Sequence, residues 1–161
     1  MSYNSKRTIA SIIGGVFLII AYIIYALGEH SPTPEDLKSW AIAILVFIGI
    51  GVITIIVIQI IFHIATAIVI AVKEEEHNDE KNENHVSSLM VEDERDKLIN
   101  LKSAHIGYLF VGIGFILALF NLAFNMPSVF ALHILFGSFA IGSIIEGIAT
   151  VYFYEKGVHN G

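Results

Sequence analysis

The sequence predicts an all-α membrane protein with four transmembrane helices, and three observations lead there. Four apolar stretches, roughly Thr8–Leu27, Trp40–Val72, Ser103–Phe124 and Val129–Tyr154, cover most of the chain. Each reaches or exceeds the ~20 residues an α-helix needs to cross a ~30 Å hydrocarbon core. The charged residues, 15% of the total, fall almost wholly between those stretches, as expected when an ionised side chain at a helix centre costs about 2.5–3.5 kcal/mol. No stretch alternates with period two in the manner of a barrel strand. With 161 residues, 55% of them hydrophobic, the chain has room for a single four-helix transmembrane domain. Its spans are expected at about 8–28, 40–72, 100–125 and 128–155.

Composition removes whole classes of chemistry. Cysteine is absent, which excludes disulfides, thiolate nucleophiles, Fe–S ligation and cysteine-type zinc sites. No phosphate loop, HExxH pair or nucleophile elbow occurs, and nothing is basic enough to bind nucleic acid. Of the nine Lys and Arg residues, Lys6, Arg7, Lys73, Lys81, Arg95, Lys97, Lys102 and Lys156 fall on one side of the expected spans and only Lys38 on the other. That asymmetry predicts an inner (plasma) membrane protein with both termini and the central loop in the cytoplasm.

The first helix follows Lys6-Arg7 and ends near Gly28. Its apolar stretch exceeds the 7–15 residues of a signal-peptide core, so a membrane helix is expected. Ser31-Pro32-Thr33-Pro34 makes the outer turn, with Ser31 or Thr33 as cap and Trp40 as interfacial anchor. The second span is too long: Trp40–Val72 has 33 residues without a charge or proline, about 50 Å of helix. Val91, Leu98, Leu101 and His105 fall on one helical face ahead of the third span. Helices two and three are therefore expected to extend into the cytoplasm as a packed hairpin. Between them, residues 73–90 carry Glu74-Glu75-Glu76, Asp79, Glu80 and Glu83, too polar to offset the entropy of ordering, and should form a mobile acidic loop. His77 and His85 in it are read as part of a solvated spacer. Asn125-Met126-Pro127-Ser128 turns tightly into the fourth helix, with Asn125 or Ser128 as its cap. Tyr22, Tyr25, Tyr152 and Tyr154 fit aromatic belts.

Polar residues inside the spans mark the candidate site. Glu146 is the acidic residue deepest in any span, on a stripe with Ser138, Gly142 and Thr150 at four-residue steps. Small and polar residues on one stripe suit close helix contact in lipid, and Gly112 and Gly114 offer a matching surface on the third helix. Counted inward from Lys73, His63 falls at nearly the depth of Glu146, with Gln59 and Thr66 on its face. Glu146, His63, Gln59, Thr66 and Thr150 are thus expected to form an intramembrane polar centre, either fixing helix register or responding to protons or a ligand. Axial ligation of heme needs opposed histidines at one level. His63, His105 and His133 are expected at three levels, so no heme, other cofactor or metal site is predicted.

Two further segments carry a resemblance: Val91-Glu92-Asp93-Glu94-Arg95-Asp96-Lys97-Leu98-Ile99 with Ala104-His105-Ile106-Gly107-Tyr108, and Tyr152-Phe153-Tyr154-Glu155-Lys156-Gly157-Val158. In these the chain resembles an uncharacterised family of four-helix prokaryotic membrane proteins, which carry an Asp-Glu-Arg-Asp-type motif before the third helix and an aromatic-basic-Gly ending. The family tail has two basic residues where Glu155-Lys156 stands here. Members are often encoded beside small helix-turn-helix regulators, so the resemblance implies membrane-linked regulation; it implies no established activity. On the residues alone, Asp93, Glu94, Arg95 and Asp96 are either a solvated helix start or a surface for a cytoplasmic partner.

Three functional classes follow. The leading expectation is a non-enzymatic sensor, regulator or immunity-type protein working through cytoplasmic protein contacts, with a cytoplasmic regulator or another membrane protein as partner. The second is a small transporter or proton- or ion-conducting oligomer using Glu146 and His63. A membrane enzyme or redox carrier comes third. Self-association is open in each, since every span carries glycines suited to a helix contact.

Overall fold

A computed structural model describes residues 3–76 and 94–157. They form four helices: α1 (Tyr3–Leu27), α2 (Leu37–Glu76), α3 (Glu94–Ala123) and α4 (Ser128–Lys156). All four are long and apolar enough to cross a bilayer. Residues 73–76, expected in the loop, continue α2; the rest of that loop, with His77, His85 and Asp93, lies outside the described residues.

The helix ends follow local chemistry. Asp36 caps α2: the Ser39 backbone N–H donates to Asp36 Oδ1 at 3.1 Å, the bond that satisfies one of the four orphan N–H groups at a helix start. At the end of α3, Asn125 takes φ 55°, a left-handed conformation that asparagine tolerates better than most residues. Its N–H donates to the Leu122 carbonyl and that of Met126 to the Asn121 carbonyl, both at 3.1 Å. Those two bonds are the Schellman stop. Asn125 thus caps the end of α3 through its backbone, whereas Pro127 sits at the start of α4 with no side-chain cap.

Packing is uneven. α3 packs most extensively on α4, α4 also on α1, and α1 on α2, with α2 touching α4 more lightly. The spatial order is α3–α4–α1–α2, which leaves α2 and α3 at opposite edges. The expected α2–α3 hairpin is not formed among the described residues: α2 and α3 share at most marginal contact. The four-residue turn makes α3 and α4 antiparallel neighbours, and α2 packs on α1 instead of on the free side of α3.

Between α3 and α4 the backbones nearly touch. A Cβ added at Gly114 would overlap Ser138 Cβ, and one added at Gly142 would fall 2.9 Å from the Gly107 carbonyl oxygen. Ser103, Gly107, Gly114, Ala118 and Asn121 are the buried face of α3 beside Ile99. Lipid offers no hydrophobic drive for helix association, so this close van der Waals approach is the source of cohesion. Ser138, Gly142 and Gly114 thus pack helices as expected. Gly112 does not; it is exposed, and a Cβ there would meet nothing within 4 Å.

At the end of the bundle holding the two short turns, an aromatic cluster joins α1, α2 and α4. Tyr22 is in ring contact with Phe47 at 5.1 Å and Phe136 at 4.3 Å, and Trp40 with His133 at 4.6 Å. Tyr22, expected in an aromatic belt, and Trp40, expected as an interfacial anchor, are buried core residues instead.

Candidate functional site

Register between helices decides which polar residues meet. Gly51 lies against Leu18, Gly14 against Thr54 and Ile58, and Tyr22 against Phe47. α2 therefore descends one residue for each residue that α1 rises. Carried on, this register sets His63 level with Lys6. On the other side of α1, Gly147 lies against Ile12 and Gly15 against Ile144, which sets Glu146 level with Ile13. Glu146 and His63 are about seven residues apart along the bundle axis, ~10 Å. His63 and Gln59 are exposed on α2, and the side chain of Thr66 lies outside the described residues. The structure does not bring His63, Gln59 and Glu146 together.

The cause is the length of α2. Counting His63 from Lys73 and Glu146 from Lys156 assumed that the two lysines mark the same level, but α2 overruns the other helices. From His63 to Glu76 it continues ~20 Å beyond the level of Lys6.

Glu146 instead faces α3. A Cβ at Gly107 would fall 3.0 Å from Glu146 Cβ and 3.1 Å from Glu146 Oε2, so the carboxyl lies in the groove that this glycine opens. The buried Thr150, one turn on, donates its hydroxyl to the Glu146 carbonyl at 2.9 Å. One turn from Gly107 on the same face of α3, the Ser103 hydroxyl is fully buried without a hydrogen-bond partner. The polar residues of this region are therefore Glu146, Thr150 and Ser103, at the α3–α4 contact. Ser103 escaped notice in the sequence because its hydrophilicity matched the charged lead-in before it. Its four-residue spacing from Gly107 was the available signal.

The end holding the termini is tied by a second polar group. Asn4 Nδ2 donates to Asp96 Oδ2 at 3.2 Å and to the Tyr154 hydroxyl oxygen at 3.3 Å. One asparagine on α1 thus joins α3 and α4. This assigns Asp96 a place inside the bundle, whereas Glu94 and Arg95 are exposed. Of the Asp-Glu-Arg-Asp surface only those two are described as facing outward.

The histidines occupy three settings. His133 Nδ1 shares a 2.6 Å hydrogen bond with the Tyr22 hydroxyl, inside the aromatic cluster. His105 is exposed on α3, and His63 is exposed on α2. The Tyr22–His133 pair was missed in the sequence, although Tyr22 with Tyr25, and His133 with Phe136, share helix faces at three-residue spacing. A cavity of ≈ 140 Å³ separates α1, α2 and α4 beside Thr8, Ser11, Gly15, Thr54 and Gly147. Thr8 and Thr54 donate their hydroxyls to the carbonyls of Asn4 and Ile50 on their own helices, so both hydroxyl hydrogens are already engaged.

No protein-family model, curated protein or solved structure matches the chain.

Proposed function

We propose that the chain is a multi-pass inner-membrane protein with both termini in the cytoplasm, acting as a non-enzymatic sensor or regulator through contact with a cytoplasmic protein. One observation carries this reading. The terminal part of α2 runs past the level of Lys6 and Arg7, the residues suited to the inner membrane boundary, while still displaying apolar side chains. Ile64 and Ile68 are 55% and 57% exposed, and Val69–Val72 continue the apolar run. An apolar helix face carried out of lipid into water calls for a protein to cover it. Arg95 and Glu94, exposed at the start of α3, supply charge on the same side of the membrane. A soluble regulator is the partner that the resemblance of Val91–Ile99 and Tyr152–Val158 implies.

Co-purification from membranes tests it. A soluble protein should accompany the wild-type chain and be lost from Ile64→Glu/Ile68→Glu, with the melting temperature unchanged. Retention of the same partner by that variant, or no partner for the wild type, contradicts the reading; self-association lost in the variant would make the covering partner a second copy.

A second reading, transport of protons or ions, is favoured by one feature. Glu146 brings a carboxyl to a helix–helix contact within a span without a side-chain hydrogen bond among the described residues. Flux into proteoliposomes abolished by Glu146→Gln and retained by His63→Gln would support it.

A further inference from the structure

A groove of ≈ 580 Å³ opens on the outside of the α3–α4 pair, lined by Leu101, Lys102, His105, Ile106, Tyr108 and Phe153 among others. Its size is within the ~300–1,000 Å³ typical of small-molecule sites. We infer that this groove binds the headgroup of an anionic phospholipid, with Lys102 contacting the phosphate and the apolar wall contacting the first part of an acyl chain.

Four observations carry the inference. The first is level. Gly107 opposite Glu146 and Gly114 opposite Ser138 set Lys102 level with Val151, and Asn4 bonded to Tyr154 then sets both within about a turn of Arg7. Lys102 thus sits where the basic residues of α1 meet the headgroup region. The second is charge. Lys102 is the charged residue of the lining, no carboxylate joins it, and it makes no ion pair among the described residues. Asp96, earlier on the same helix, accepts a hydrogen bond from Asn4 of α1. A lysine close to an anionic membrane surface gains about 1 kcal/mol.

Shape is the third observation. Along α3, Lys102, His105 and Tyr108 follow at three-residue steps, a ladder of polar tips descending from the boundary toward the apolar interior. Each has an apolar stem or ring beside it, as a side chain spanning the lipid interface requires. Last, the walls themselves are apolar: Leu101 and Tyr108 are 70% exposed, and Phe153 closes the groove from α4. This surface meets a chain that is itself part hydrocarbon and part anion.

The inference rests on the terminal end facing the bilayer boundary, not on which side of the membrane that end occupies. Nanodiscs with the same lipid in both leaflets separate the two. The purified chain is placed in nanodiscs of phosphatidylcholine with or without phosphatidylglycerol, and bound lipid is counted by native mass spectrometry after release. Wild type should retain phosphatidylglycerol in preference to phosphatidylcholine. Lys102→Gln should reduce that preference about fivefold, and Lys97→Gln, exposed on the same helix, should not. Tyr108→Phe, which keeps the ring, should weaken retention less than Lys102→Gln does. Equal retention of the two lipids by wild type overturns the inference even if no variant folds. So does an unchanged preference in Lys102→Gln. Inorganic phosphate that raises the melting temperature in pure phosphatidylcholine as much as phosphatidylglycerol does would also overturn it, assigning the groove to a free anion.

Discussion

Gly114 and Gly112 are two positions apart in sequence and opposite in consequence. A side chain at Gly114 runs into Ser138; one at Gly112 enters open space. Gly114→Leu should therefore destabilise the α3–α4 pair by about 1–3 kcal/mol or more, the usual range for overpacking, and Gly112→Leu should be close to neutral. Thermal unfolding in detergent distinguishes them, and Gly114→Ala combined with Ser138→Gly should recover much of the loss. Asp36 permits a test by pH. Its carboxyl is held below the ordinary carboxylate range by the Ser39 hydroxyl and then by the Ser39 N–H. A carboxyl whose folded pKa is depressed contributes its stabilisation above the unfolded value and loses it as pH falls through the lower folded value. Protection of the Ser39 amide, taken relative to its intrinsic exchange rate, should thus fall only once pH drops below the ordinary carboxylate range, and Asp36→Ala should lack that protection throughout. Of these features the sequence showed the small-residue stripe plainly, because four-residue spacing is visible in any helix. It could not separate Gly112 from Gly114, since both are glycines and only the crossing of α4 selects between them.

Helices one, three and four end close to where their composition says, and α2 does not. The 33 residues without a charge or proline were visible as an excess, and its cytoplasmic side was the expectation; the level at which α2 overruns its neighbours needed the register with α1. That register is set by the contacts of Gly14 and Gly51 and by the Tyr22–Phe47 pair, none of which has a one-dimensional signature. The same gap explains why Glu146 was expected beside His63. A residue count gives depth only when helices share a boundary, and α2 shares none at its terminal end. The partner of Glu146 was nevertheless implicit in Asn125–Ser128, since a four-residue turn makes α3 its neighbour. At this scale, Asn4→Ala should loosen the terminal end by removing the bonds to Asp96 and Tyr154. A loss of about 1–2 kcal/mol is the expected range for a partly buried side-chain pair of bonds. Amide exchange near Asn4, Asp96 and Tyr154 should rise while that near Tyr22 and His133 stays unchanged.

The four helices form a bundle of uneven cohesion. α3 and α4 are joined by backbone contact, α1 to α4 by the Gly15 and Gly147 contacts with the Asn4 bonds at one end and the aromatic cluster at the other, and α2 to α1 by that cluster and the contacts of Gly14 and Gly51. α2, which packs chiefly on α1, is thus the helix with the most surface left for another protein, and the one that runs past the described ends of the others. The chain's lack of cysteine lets single cysteines report depth without background. Nitroxide labels at Ile53→Cys and Ile68→Cys, in the purified chain in nanodiscs, provide the most direct measurement, read as collision with oxygen against collision with a water-soluble nickel chelate. At residue 53 the label should meet oxygen and not nickel. At residue 68 it should meet nickel, or neither quencher where a second copy covers it. A residue-68 label that meets oxygen freely and nickel hardly at all would place that turn in lipid, and the projection of α2 out of the membrane would be contradicted.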